Sequence, residues 1–157
     1  MVYSAVEEFL LATFDLTPGV NDFPFLYDWR RDERAAARQL ADRSRSWLAD
    51  WSSRSGNTIA QLVLVAHSMG RLVSRYLVEA LGGGKDTKAV LTFGTPFYGS
   101  LNALVPHERL SERYPPAAVD LSPVLQSCTS VHQLVPTYRS PVVTSPRCSR
   151  RSASTEN

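Results

Sequence analysis

The sequence predicts an α/β protein with a mostly parallel sheet and helices on both faces of that sheet. Two apolar runs, QLVLVA at 61–66 and KAVLTF at 88–93, have the length and continuity of buried parallel strands. Between them, RLVSRYLVEAL at 71–81 carries apolar residues at helical spacing, and the glycines at 82–84 end that helix. Strand, helix and strand in this order are typical of a right-handed βαβ unit.

Three further elements are expected ahead of this unit. Residues 2–14 have apolar positions at helical spacing and predict a short amphipathic helix, which the TPG at 17–19 stops. Residues 23–29 are aromatic and apolar, which favours a buried strand whose end lies at the edge or rim of the sheet. Residues 32–53 place alanine, leucine and tryptophan on one face and charges elsewhere, so a long surface helix is predicted there.

The part of the chain after the second strand has a weaker pattern. Prolines punctuate it, and one helix is predicted from about residue 121 to residue 134. Residues 139–157 are rich in serine, arginine and proline and are expected to be a disordered C-terminal tail. The predicted division is a partial α/β domain over 1–138 and this tail over 139–157.

Composition limits the classes of function. With 157 residues, 43% of them hydrophobic, the chain suits a single globular domain. A net charge of +2, with arginines spread along the chain, argues against nucleic acid as a partner. The longest apolar run is far shorter than the roughly 20 residues of a membrane helix, so no transmembrane segment is expected. Acidic Glu7 and Glu8 do not suit a signal peptide, so the expected location is cytoplasmic.

Neither a metal nor a cofactor is expected. Cys128 and Cys148 are the two cysteines, and their spacing fits no metal-binding motif. The oligomeric state is left open by the sequence.

The segment AHSMG at 66–70 carries the clearest chemical signal. It lies between a predicted strand and a predicted helix, which is the setting of a serine nucleophile held exposed on a tight turn. Ser68 is the predicted nucleophile, and Ala66 and Gly70 are the small residues that such a turn requires. The N–H of Met69, at the start of the helix, is the predicted oxyanion donor, because helix N-termini favour negative charge.

A serine of this kind also needs a base and an acid, and the sequence leaves both open. His67 adjoins the serine, but neighbouring side chains point to opposite sides, so a packing or orienting role is expected for it. The weak candidates for the base are His107 and His132. The weak candidates for the acid are Asp120 and Asp86.

Four segments together resemble the lecithin:cholesterol acyltransferase family. In order along residues 20 to 138 they are FLYDWRRD, LVLVAHSMGRLVSRYLVEAL, LTFGTPFYGSLNAL and DLSPVLQSCTSVHQLVP. The resemblance implies an α/β-hydrolase fold, here partial, in which Ser68 takes an acyl group from a lipid or other ester and passes it to an alcohol or to water. It also implies that His132 lies on a helix that is not catalytic.

The resemblance further implies that parts of the family fold are missing. In family members the catalytic acid and histidine lie on loops well downstream of the GTP segment. A strand and a loop that donates the second oxyanion N–H precede the helix that corresponds to residues 2–14. This chain is therefore expected to be a fragment that lacks both parts. The missing strand would leave a slot in the sheet between 23–29 and 61–66. Because unpaired backbone groups are costly, the remaining strands must close up, pair with another chain or stay loose.

Two functions are therefore predicted. The first is a serine esterase, lipase or O-acyltransferase that works on lipid or other acyl esters through an acyl-Ser68 intermediate, incomplete in this chain. The alternative is a non-catalytic α/β-hydrolase remnant that binds lipid or a partner chain through its uncovered sheet edge.

Overall fold

The computed structural model describes residues 4–100, 103 and 122–137 of the chain. No helix in these residues is long and apolar enough to cross a membrane. Besides one short 3₁₀ helix at Gly83–Asp86, the elements in chain order are α1 (Ser4–Thr13), α2 (Glu33–Ser55), β1 (Leu62–His67), α3 (Gly70–Ala80), β2 (Thr87–Phe93), α4 (Ser122–Gln126) and α5 (Thr129–Gln133).

The long helix α2 begins and ends where its sequence provides caps. The side chain of Asp32 accepts a hydrogen bond from the N–H of Arg34 at 2.8 Å, which satisfies one of the free donors of the first turn. At the other end Gly56 has φ +71°, and its N–H donates to Ser52 O. The helix predicted over 32–53 is thus confirmed, with its last residue at Ser55.

The βαβ unit is also confirmed. Strands β1 and β2 pair in parallel, in a register that runs from Val63 opposite Ala89 to His67 opposite Phe93. Helix α3 connects them, and the chain leaves this helix at Gly82, whose φ is +73°. Because the strands are parallel, the carboxyl end of β1 and the carboxyl end of β2 meet at one edge of the sheet.

The hydrophobic core lies on one face of this two-stranded sheet. Helices α2 and α3 pack against each other there, and Ala37, Val73 and Leu77 are almost fully buried. Leu64 of β1 points into the same cluster. Since side chains alternate along a strand, Val63 and Val65 lie on the opposite face.

That opposite face is open within the described residues, so the prediction of helices on both faces does not hold there. Val63 and Leu91 are each 53% exposed, and Val65 and Phe93 are exposed as well. The apolar runs of β1 and β2 are typical of strands covered on both faces. Which element covers each face depends on residues far away in the chain, so the runs alone do not predict it. The described structure is therefore a mixed arrangement of helices and a small parallel sheet, compatible with part of an α/β fold.

The strand predicted over 23–29 is wrong. These residues join no ladder, and their aromatic rings pack on α2 instead. The ring of Phe23 stacks on Trp47 with centroids 4.6 Å apart, and the guanidinium of Arg43 lies 5.5 Å from the centroid of Phe25. Without a neighbouring strand the backbone finds no ladder partner, and burial of the rings decides the position of the segment.

The single helix predicted over 121–134 is divided into α4 and α5. The backbone of Cys128, between them, is extended, with φ −82° and ψ 115°. The hydroxyl of Ser127 donates to Val124 O at 2.7 Å, a local bond of the kind that competes with helix continuation. The break lets Cys128 and Val131 pack together against Ala103 in a second small apolar cluster.

The predicted N-terminal helix is confirmed over Ser4–Thr13. Phe9 on it and Phe14 just after it are more than half exposed, so the apolar side of α1 is not buried among the described residues. The predicted tail, 139–157, lies outside the described residues.

Candidate active site

The backbone turns sharply at Ser68, between β1 and α3. Ser68 has φ +51°, and among the described residues it is the one residue other than glycine with a positive φ. This left-handed region costs a residue with a Cβ about 1–2 kcal/mol. The N–H of Ser68 donates to Phe93 O at 3.0 Å, so the neighbouring strand helps to hold the turn. Such strain, maintained by a strand on one side and a helix on the other, is typical of a serine presented for chemistry.

The two small residues predicted for the turn, Ala66 and Gly70, lie on either side of Ser68 and face each other across it. A Cβ built on Gly70 would lie 3.6 Å from the Cβ of Ala66, which is itself buried. This is an ordinary van der Waals distance, so the collision predicted for a residue larger than glycine does not occur with a single methyl group at position 70.

The oxyanion donor predicted at Met69 lies at the start of α3. Met69 is the N-cap residue of this helix, and its N–H donates to no acceptor among the described residues. The hydroxyl of Ser68 likewise makes no hydrogen bond to a described residue. A free N–H at the positive end of an 11-residue helix, next to a free hydroxyl, is suited to stabilise an oxygen that becomes negative.

The imidazole of His67 packs against Phe93 and Gly94. Its ring centroid lies 5.6 Å from that of Phe93, its partner across the ladder. A Cβ on Gly94, which has φ +60°, would come within 3.1 Å of His67 Nε2, so the ring also fills the space above this glycine. The contacts agree with the packing role expected for His67.

The described residues do not bring a base or an acid to Ser68. The imidazole of His132 is exposed on α5, and its Nε2 lies 2.8 Å from Gln126 O. Asp86 directly precedes β2, so it is roughly 20 Å of strand away from the edge where Ser68 lies, which excludes it as the acid. His107 and Asp120 lie outside the described residues.

The loop that follows β2, residues 94–100, runs beside the turn and is fixed by contacts that the sequence analysis missed. The N–H of Ser100 donates to Leu134 O, and the N–H of Thr137 donates to Tyr98 O, both at 2.8 Å. At Gly99, with φ +95°, a Cβ would lie 2.5 Å from Pro136 Cα, so the two backbones approach at a distance that only glycine allows. The second glycine of GTPFYGS, Gly99, is the sequence signal from which this close approach could have been predicted.

The family model of lecithin:cholesterol acyltransferase matches residues 17–107, more than half of the chain. The chain belongs to the lecithin:cholesterol acyltransferase family. Searches of curated proteins and of solved structures gave no significant match. Membership suggests an acyltransferase or lipase-like activity.

The lecithin:cholesterol acyltransferase match covers the turn at Ser68 and the loop after β2, and it ends at His107. The resemblance expected over 20–138 is confirmed up to that residue, while α4, α5 and His132 lie outside the match. No group of three or more histidine, cysteine or acidic side chains that could hold a metal ion occurs within the described ranges.

A polar cluster that the sequence did not reveal joins α5 to the start of α2. The side-chain oxygen of Gln133 accepts a hydrogen bond from the N–H of Glu33 at 3.0 Å, and its NH₂ donates to Asp32 Oδ1 at 3.1 Å. Glu33 is buried, and burial together with the charge of Asp32 raises its pKa to about 7. The side-chain hydrogen bonds from Arg34 lower the pKa of Asp32. The cluster fixes the segment that anchors the loop after β2.

Proposed function

We propose that this chain acts as a serine esterase, lipase or O-acyltransferase on lipid or other acyl esters, through an acyl-Ser68 intermediate. The observation that carries the proposal is the strained, positive φ of Ser68 at the junction of β1 and α3. A residue with a Cβ keeps such a conformation only where its surroundings impose it, and here the turn leaves the hydroxyl without a hydrogen-bond partner among the described residues. Membership of the lecithin:cholesterol acyltransferase family supports the same chemistry.

The mechanism divides one acyl transfer into two steps. The Oγ of Ser68 attacks the carbonyl carbon of the ester while a base accepts the hydroxyl proton. The N–H of Met69 donates to the negative oxygen of the tetrahedral intermediate. The intermediate collapses to the acyl-serine, and the alcohol leaves with the proton from the base. Water or a second alcohol then attacks the acyl-serine by the reverse sequence, which restores the serine.

The base and the acid of this mechanism are the open part of the proposal. His107 and His132 are the candidates for the base, and Asp120 is the candidate for the acid. Since His132 Nε2 lies against Gln126 O, His132 would have to leave this contact before it could serve. Whether water or an alcohol takes the acyl group depends on how well the site excludes water.

A second function is favoured by the open face of the sheet. Val63, Val65, Leu91 and Phe93 form an exposed apolar surface next to the proposed site. Exposed surfaces of this kind mark places where proteins contact lipids or other chains. The alternative is therefore a non-catalytic member of the family that binds lipid or a partner chain through this sheet.

Labelling with a fluorophosphonate probe separates the two functions. Such a probe forms a covalent bond to a serine only where a base and oxyanion donors activate it. We expect labelling of the purified chain, located at Ser68 by mass spectrometry of the peptides and lost in Ser68→Ala. The matched control is Ser53→Ala, an exposed serine on α2, which should be labelled like the wild type. A folded wild-type chain that remains unlabelled would contradict the enzymatic function and favour the binding function.

A further inference from the structure

The side chains of Arg71 and Phe97 connect the first turn of α3 to the loop after β2. The guanidinium carbon of Arg71 lies 3.7 Å from the ring centroid of Phe97. This is well within the range of about 6 Å in which a cation and an aromatic face attract each other. Arg71 follows Ser68 by three residues, and its N–H donates to Ser68 O at 3.3 Å. The contact therefore lies directly beside the proposed nucleophile.

The aromatic ring is the partner that the structure gives to this charge. Arg71 Nη1 is buried and makes no hydrogen bond with any described residue. By contrast, Arg75, one turn further along α3, pairs with Glu79 at 2.9 Å in solvent. A half-buried guanidinium whose Nη1 lacks a hydrogen-bond partner gains from a close aromatic face, so the position of Phe97 is coupled to that of Arg71.

The same contact fixes the middle of a loop that is already held at both ends. At its start, Phe93 O accepts the N–H of Ser68, and at its end the N–H of Ser100 donates to Leu134 O. Between these bonds the chain turns at Gly94 and Gly99, both with positive φ, and the bond from the N–H of Thr137 to Tyr98 O holds the backbone one residue beyond Phe97. Among the described residues, the contact with Arg71 is the cation or ring contact that holds the Phe97 side chain, which is otherwise 55% exposed.

We propose that Arg71 is a positioning residue, which through Phe97 holds the 94–100 loop as a fixed wall beside Ser68 and the N–H of Met69. Its effect on acylation rests on the proposed function, whereas its effect on the loop does not. A wall held in one place keeps the ester carbonyl aligned with Oγ and the oxyanion donor, and small displacements at this point lower the rate of reaction.

Hydrogen exchange of the loop amides tests the contact independently of activity. We expect the amides between Thr95 and Ser100 to exchange roughly two- to tenfold faster in Arg71→Met and in Phe97→Leu, since cation–π contacts have about that strength. The double variant should be no faster than either single variant. Phe97→Tyr and Phe97→Trp should restore slow exchange, because both keep an aromatic face. Arg75→Met, on the same helix, is the matched control and should leave the loop unchanged.

Fluorophosphonate labelling of the same variants tests the effect on the site. The maximal rate of labelling at saturating probe should fall in Arg71→Met and Phe97→Leu and recover in Phe97→Trp, while thermal unfolding confirms that each variant is folded. Recovery in the tryptophan variant is a response that general destabilisation would not produce. Equal loop exchange in Arg71→Met and wild type would overturn the proposal, as would normal labelling in a variant whose loop exchanges fast. If the wild type is not labelled but the variants exchange as expected, the proposed function and the effect on acylation are overturned. The role of the Arg71–Phe97 contact in holding the loop is then still supported.

Discussion

At the scale of single residues, Ser68 carries the most specific feature of the chain. The AHSMG segment, between a strand and a helix, already predicts a sharp turn, and in the structure the backbone makes this turn through the positive φ of Ser68. Met69 could be predicted for the same reason, because its place at the helix start follows from the local sequence. The contact of Arg71 with Phe97 could not, since the two residues are far apart in the chain and no local pattern connects them.

The strain at Ser68 predicts how substitutions there affect stability. Ser68→Gly should be more stable than Ser68→Ala by about 1 kcal/mol, because glycine adopts a positive φ without the steric cost of a Cβ. Both variants lack the hydroxyl, so both should be inactive. Urea unfolding of the two variants measures the difference. Equal stability would show that position 68 is not held at positive φ.

The raised pKa of Glu33 predicts a pH-dependent stability. Below its ordinary value of 4.5 the carboxyl is protonated in the folded and the unfolded chain, and burial of the charge costs nothing. As the pH rises towards about 7 the unfolded chain loses this proton first, so the free energy of unfolding falls. Glu33→Gln removes the charge, so it should match the wild type near pH 4.5 and be roughly 2–3 kcal/mol more stable above pH 7.

Unfolding by urea at several pH values measures this difference. Glu79→Gln is the control, because Glu79 is exposed and paired with Arg75. A stability difference between Glu33→Gln and wild type that does not change with pH would contradict the assignment. The contribution of Asp32 has the opposite direction, because its lowered pKa gives stability that is lost only as the pH falls below its ordinary value of 3.8.

At the scale of elements, the helices and strands that depend on local sequence were predicted correctly, whereas those that depend on contacts with distant residues were not. The caps and spacing of α2 and the apolar runs of β1 and β2 are local, and these elements were predicted. Residues 23–29 have the composition of a strand, but a strand also needs a neighbour, and their rings pack on α2 instead. The division between α4 and α5 depends on the small cluster around Cys128, which no helical spacing reveals.

The packing of α3 on the sheet and α2 predicts where truncation destabilises the fold. Leu77 is 2% exposed in the main cluster, so Leu77→Ala should lower the free energy of unfolding by about 2–5 kcal/mol. Leu26 is 83% exposed, and the same substitution there should cost less than about 0.5 kcal/mol. Chemical unfolding of both variants provides the comparison, and equal losses would contradict the described core.

At the scale of the whole molecule, the two-stranded sheet is covered on one side and open on the other. A pair of strands is marginal by itself, and here α2 and α3 supply the packing that stabilises it. The sequence predicts the class of fold from the βαβ order, but not which face is covered, because that depends on elements distant in the chain. The open face carries the exposed apolar side chains, among them Val63 and Leu91, on which the binding alternative rests.

The proposed division into a domain over 1–138 and a tail over 139–157 leads to a prediction for the whole chain. Removal of residues 139–157 should leave the midpoint of thermal unfolding unchanged, because the serine-, arginine- and proline-rich composition lacks the apolar residues needed for a core. Thermal unfolding of the shortened and full chains checks this, and a clear drop in the midpoint would show that the tail packs on the domain.

If Ser68 is the nucleophile, its Oγ becomes covalently bound to the acyl group of an ester, and this intermediate can be trapped. The purified chain would be mixed with a p-nitrophenyl ester, quenched with acid within seconds, digested and analysed by mass spectrometry. We expect the mass of one acyl group on the peptide that contains Ser68, and its absence in Ser68→Ala. A folded chain without acylation at this peptide, or with equal acylation in Ser68→Ala, would contradict the claim.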